Sequence, residues 1–215
     1  FGCKSSKLYD NEKMKTLIIN QEDYQDKLSY NELLQDKCFK YMIYEPLLEY
    51  DDKGSLKPLI TKGIPVYNED TKCYNIKLRK DIYYNIDFSK DSYIKELFSK
   101  KARKVIAEDF LNSLKIKYLI GNYGIYEDIV NNITGMEIIN RNKDLIKLIN
   151  IENINQINIS GFEIINDYEF NIYVKEFNTQ FINLFASNFF IPIPKEIIGL
   201  KRKLIIGSGF YIYDN

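Results

Sequence analysis

The chain of 215 residues has no histidine, no tryptophan, three cysteines and five prolines, and its thirty basic side chains cancel thirty acidic ones. Each shortage excludes something. Without an imidazole, no Ser-His-Asp or Cys-His centre and no histidine-ligated zinc can be built from this chain. Cys3, Cys38 and Cys73 are too few and too scattered for a four-thiolate metal site. A net charge of zero removes the electrostatic case for nucleic acid or for a polybasic membrane patch. No run of 18 apolar residues occurs, so no membrane-spanning helix is expected. No internal repeat is visible.

What is present is a foldable composition. Hydrophobic residues make up 45% and charged residues 28%, enough for a core and a charged surface. The length fits one large domain or two small ones.

Local patterns divide the chain. Met14 to Asn20 has the length and composition of a short strand. Leu34, Cys38 and Met42 recur at helical spacing, so Asn31 to Ile43 reads as a helix. Pro46 ends it and biases Glu45 toward extended geometry. Glu45 therefore stands at a bend, either held there for a purpose or as a plain surface glutamate. Asp51-Asp52-Lys53-Gly54 has turn composition and lacks the ligand spacing of a calcium loop. Asn68-Glu69-Asp70 reads as a hairpin turn, and Tyr74, Ile76 and Leu78 alternate with polar residues as in a half-buried strand. Tyr83-Tyr84-Asn85 reads as a short aromatic strand.

Val105 to Leu114 reads as an amphipathic helix whose first turns carry Glu108 and Asp109, where the helix dipole favours acids. Short helices are expected at Asp128 to Ile133 and Asn142 to Ile149. Gly161 to Val174 alternates around Asn166-Asp167 as a hairpin, with Phe162, Ile164, Phe170, Ile172 and Val174 inward. Thr179 to Asn188 reads as a helix with Phe181, Leu184, Phe185 and Phe189 on its apolar side. Gly207-Ser208-Gly209 permits a tight backbone approach to another element or to a ligand. It lacks the third glycine and the frame of a dinucleotide fingerprint. Cys38 and Cys73 can be a disulfide in an oxidising compartment or two buried thiols.

One ordered series of residues carries more. Tyr44-Glu45, Leu47-Leu48, Asp51, Gly54, Pro58-Leu59, Leu78-Arg79 and Ala107-Glu108-Asp109-Phe110 follow one another at characteristic spacing. Further on stand Ile191-Pro192-Ile193-Pro194-Lys195 and Gly207-Ser208-Gly209-Phe210-Tyr211. This series resembles the extracellular solute-binding proteins of family 5, the oligopeptide, dipeptide and nickel receptors of ABC importers. It departs from them after the first strand, where Gln21 to Leu28 has no proline, and after Tyr83-Tyr84-Asn85, where a glycine turn is missing.

The resemblance implies an α/β, periplasmic-binding-protein-like fold (type II, peptide-binding cluster), with this chain its N-terminal part, either a fragment or a natural short form. Residues 16–45 and 187–215 would form part of a large lobe, and 46–186 a small β-rich subdomain. Phe1-Gly2-Cys3 resembles the end of a lipoprotein signal peptide. Cys3 would then be the lipid anchor and residues 1–15 a tether, in the cell envelope on the periplasmic or outer face of the membrane. The ligand would be an extended oligopeptide, bound between lobes by a monomer that docks on the transporter permease. No cofactor, metal or nucleic acid is implied, nor any catalytic role. The expected ligand-binding residues are Glu22, Asp23, Tyr24, Glu45, Tyr123, Gly207, Ser208 and Gly209. Two other classes stay open: a degenerate surface interaction or adhesion module with no free-peptide binding, and an enzyme working with a carboxylate pair.

Overall fold

The computed structural model describes residues 43–86, 92–99, 101–121, 123–136, 151–200 and 206–209. The expected strand at 14–20 and helix at 142–149 lie outside them, as does the helix at 31–43 except for Ile43.

Two antiparallel sheets form among the described residues. The first is a hairpin of β1 (Leu48–Tyr50) and β2 (Leu56–Pro58). Its turn is the predicted acidic one. Asp51 Oδ1 accepts the backbone N–H groups of Lys53 and Ser55 at 2.9 and 2.8 Å, and Gly54 takes φ +78°. Those two donors hold the Asp51 carboxyl below its ordinary range.

The second sheet has the order β3-β4-β6-β5, with β3 at Tyr67–Asn68, β4 at Cys73–Lys77, β5 at Phe162–Asn166 and β6 at Glu169–Tyr173. Its inner face follows the alternation. Tyr74 and Ile76 pair with Ile172 and Phe170, and all four are buried. The outer face is a polar ladder: Asn75 donates to Asn171 and Glu169, Asn171 donates to Glu163, and the Tyr173 hydroxyl donates to Glu163 at 2.6 Å. Ile164 departs from the prediction. It pairs in register with Phe170 but is 41% exposed because β5 is an edge strand; the register shift comes after it, between Ile164 and Asn166. The Tyr83 run is a single bridge to Lys104 rather than a strand.

Helices cover the inner face. After α1 (Ser92–Leu97), α2 runs over Ala107–Ile120, six residues past the predicted end. Gly121 stops it in the left-handed conformation (φ +62°), its N–H returning to the Lys117 carbonyl. Helix α3 (Glu127–Val130) stands where a short helix was expected, and α4 spans Ile151–Gln156. The predicted helix at 179–188 is only one turn, α5 (Phe181–Leu184). Ser187 ends it: its hydroxyl donates to the Leu184 carbonyl and accepts the Phe189 N–H. Phe181, Leu184, Phe185 and Phe189 are nonetheless buried, as the periodicity required.

Aromatic rings bind these layers. Phe170 stacks on Phe162 at 4.6 Å and on Phe110 of α2 at 5.6 Å. Tyr74 stacks on Phe181 at 5.1 Å. The hairpin β1-β2 is fastened to the same core by the Leu48 N–H, donated to the Phe185 carbonyl at 3.0 Å. Cys73 is a buried free thiol; Cys38 lies outside the described residues.

Candidate functional site

Three segments remote in sequence converge at the Gly207-Ser208-Gly209 turn. The Gly209 N–H donates to the Ile43 carbonyl at 2.7 Å, and the Glu45 N–H donates to Ser208 Oγ at 3.4 Å. Asn85 clamps the other side: its N–H donates to the Gly207 carbonyl at 2.9 Å, and its side-chain amide donates to the Gly209 carbonyl. A Cβ at position 207 would lie 2.0 Å from the Ile43 carbonyl oxygen. The tight approach expected of the glycines is thus made, and it is made to another element. Pro46 and Ser208 are buried, and Glu45 is half-buried at the edge of the junction.

The fold therefore brings Glu45, Gly207, Ser208 and Gly209 together. It does not bring Tyr123 to them. That ring is 4% exposed, packs edge-on against Phe189, and donates its hydroxyl to the Met136 carbonyl at 3.2 Å. Cys3, Glu22, Asp23 and Tyr24 lie outside the described residues.

One contributor was missed from sequence. Asn85 is the polar residue closing the Tyr83-Tyr84-Asn85 run, and that position was its only signal. Tyr44 is fully buried, with its hydroxyl unpartnered among the described residues. Burial pushes its phenol well above the ordinary range.

Next to the junction sits a buried ionic clasp. Asp109, at the third position of α2, accepts the Ile106 N–H at 2.9 Å, which satisfies one of the helix's open donors. The same carboxylate takes the Arg103 guanidinium at 2.7 Å, and Arg103 Nε donates to Glu196 at 3.0 Å. The guanidinium also lies over the Tyr84 ring. The Asp109 side chain is fully buried, and desolvation raises its pKa to about 7, against the opposing pull of Arg103. Burial alone would lower the Arg103 pKa, but its two carboxylates hold it above the ordinary value. The clasp also fastens the proline-rich segment to α2, because the Ile193 N–H donates to the Asp109 carbonyl at 3.0 Å.

Chemically the junction offers backbone amides, one hydroxyl and one carboxylate. Among the described residues no group of three Cys, Asp or Glu side chains is disposed to hold a metal, and no helix is long and apolar enough to cross a membrane.

No protein-family model matches the chain, and no curated protein does. Solved structures do match. Peptide-bound OppA of Listeria monocytogenes superposes with a TM-score of 0.51 at 17% identity, over 75% of this chain and 27% of its own. The murein tripeptide binding protein MppA of Escherichia coli gives 0.54 at 16% identity, over 87% and 32%. A dipeptide binding protein of Pseudoalteromonas in complex with Met-Leu gives 0.55 at 13% identity, over 83% and 32%. The chain thus spans about a quarter to a third of the length of these structures. At such identities the likeness establishes the fold alone: the chain shares the mixed α/β fold of part of these structures.

Proposed function

We propose that the chain is part of a solute-binding protein of an ABC importer, with an extended oligopeptide as its ligand. The observation that carries this reading is the fold likeness to three proteins described as binding a peptide, a murein tripeptide and a dipeptide. The junction at Gly207 supports it, since a rigid glycine turn holding Glu45 at its edge offers fixed polar groups to a peptide. Glu45 and Ser208 are the contacts proposed among the described residues, with Gly207 and Gly209 setting their positions. Glu22, Asp23 and Tyr24 complete the proposed set. Tyr123 would have to give up its bond to Met136 to join them.

The mechanism is binding, with the ligand's main chain pairing along the cleft and closure burying it. The carboxylates already have structural work: Asp51 in a turn, Asp109 in the clasp, Glu163 in the polar ladder. They therefore need no catalytic explanation. The wider proposal puts the protein in the cell envelope as a monomer, lipid-anchored through Cys3 and docking on a permease.

Native mass spectrometry of protein produced in a peptide-rich medium tests the ligand. Heterogeneous added masses of a few residues, lost on denaturation, are expected. A bare mass under the same conditions counts against the peptide reading. In Glu45→Ala the retained peptide should fall at least several-fold while the thermal midpoint stays unchanged. Full retention would remove Glu45 from the site.

A further inference from the structure

The four-stranded sheet ends differently on its two sides. At one edge β3 is two residues long, with Pro65 just before it. Short strands and prolines are common means of closing a sheet edge. At the other edge β5 runs over Phe162–Asn166, with no lysine and no proline, and is the last strand of the sheet among the described residues. Glu163, Ile164, Ile165 and Asn166 are all exposed.

The register shows which main-chain groups this edge presents. The Tyr173 N–H donates to the Gly161 carbonyl at 2.8 Å. Hydrogen-bonded pairs alternate along an antiparallel ladder, so the next one is Glu163 with Asn171. Ile164, opposite Phe170, falls in the other class of pair. Its N–H and C=O therefore point away from β6, and the Phe162 C=O points the same way. The Phe162 N–H is taken by the Ile159 carbonyl at 3.0 Å. These groups at alternate residues match an antiparallel main chain: a residue facing Ile164 makes two bonds, and one facing Phe162 makes a third. The register shift comes only after Ile164.

The side chains say what such a strand should carry. Ile164 shares the inner face with its partner Phe170, yet is 41% exposed, so an apolar residue beside it would cover it. Glu163 stands on the outer face. The Tyr173 hydroxyl and the Asn171 amide both donate to its Oε2, at 2.6 and 2.9 Å. They fix the carboxylate and hold it below its ordinary range. Its Oε1 makes no bond among the described residues. It is a positioned acceptor for a cation on a neighbouring strand.

We propose that the open edge of β5 docks an extended segment of another polypeptide, added antiparallel, with an apolar side chain over Ile164 and a lysine or arginine on Glu163. A second copy of this chain fits less well. Self-pairing centred on Ile164 sets Glu163 diagonal to its own counterpart, and so short an edge falls short of the roughly 800 Å² per partner of a stable interface. The site shares no residue with the glycine turn and does not depend on the peptide reading above.

Fluorescence polarisation with a labelled, end-blocked peptide KVKVKVK tests it, with EVEVEVE as its counterpart. The basic peptide should bind and the acidic one should not. Ile164→Pro removes the outward N–H while leaving the ladder to β6 intact, and should weaken the basic peptide by about tenfold or more. Glu163→Lys should reverse the preference between the two peptides. Circular dichroism checks that both variants fold, and Glu163→Lys decides the matter if Ile164→Pro does not. Glu45→Ala should leave this binding unchanged. No binding of the basic peptide overturns the proposal, as does full binding in the folded Ile164→Pro variant or an unreversed preference in Glu163→Lys. Loss of binding in Glu45→Ala would place the peptide at the glycine turn instead. A dimer in sedimentation that Ile164→Pro abolishes would give the edge to a second copy and overturn the proposal too.

Discussion

At position 207 a single methyl group is the issue. Alanine would place its Cβ 2.0 Å from a backbone oxygen, and backbone cannot swing aside as a flexible side chain can. Gly207→Ala should cost about 1–3 kcal/mol, the usual range for overpacking, read as a lowered midpoint in urea. An unchanged midpoint would mean that Ile43 and the turn do not meet. Asp109 makes a pH-dependent prediction. Its folded pKa is raised from 3.8 to about 7, so between those values the native state holds a proton that the unfolded chain has lost. The stability from this proton is complete below about pH 4 and disappears as the pH rises through about 7. Relative to Asp109→Asn, the wild type should lose stability across that window, with a slope of up to about 1.4 kcal/mol per pH unit. Urea titrations at several pH values would show it, and parallel curves would refute it. The acid at a helix start was legible as a dipole effect. Its burial was not, because Arg103 and Glu196 reach it only through the fold.

Among elements, the hairpin of β5 and β6 shows what alternation can and cannot tell. Phe170 and Ile172 are buried as the period requires, because β6 is an inner strand with neighbours on both sides, and Val174 just beyond it is buried beside Ile133. The same reasoning placed Ile164 inward; it pairs with Phe170, yet its place on the edge strand leaves it 41% exposed. Phe170→Ala should therefore cost about 3–5 kcal/mol, whereas Ile164→Thr should change stability by no more than about 0.5 kcal/mol. Equal losses in thermal unfolding would put both residues in the core. Helix α2 teaches a related point. Its apolar line ended for the eye at Leu114, yet the helix continues to Ile120. Lys117 is buried by donating to Ser113 and to the Phe189 carbonyl, a partner that no local pattern announces.

For the molecule as a whole, the clasp is the link between distant parts of the chain. Arg103 joins the start of α2 to Glu196, and Asp109 carries both the guanidinium and, through its carbonyl, Ile193. Arg103→Met would leave the buried Asp109 carboxyl and Glu196 without their shared guanidinium donors and should cost about 1–3 kcal/mol. Hydrogen exchange would locate the damage. The Ile193 and Ile197 amides should lose protection before those of Phe170 and Ile172 in the sheet. Uniform loss would mean that the clasp stabilises no particular region.

Alternating and helical spacings, turn composition and the paired glycines were enough to determine β4, β5 and β6, most of the buried aromatic residues and the tight turn at 207, but not β1 or β2. Such features act between near neighbours, where backbone geometry alone sets which side chains share a face. The ordered series from Tyr44 to Phe110 also pointed to the architecture that the solved structures then matched. Only the tertiary structure decided that Asn85 clamps the glycine turn, that Tyr123 is a core ring rather than a lining one, and that Asp109 is buried with Arg103. Those outcomes depend on which groups from remote segments arrive at one place. Desolvation and pairing energies are set by that arrival and leave no trace in local spacing.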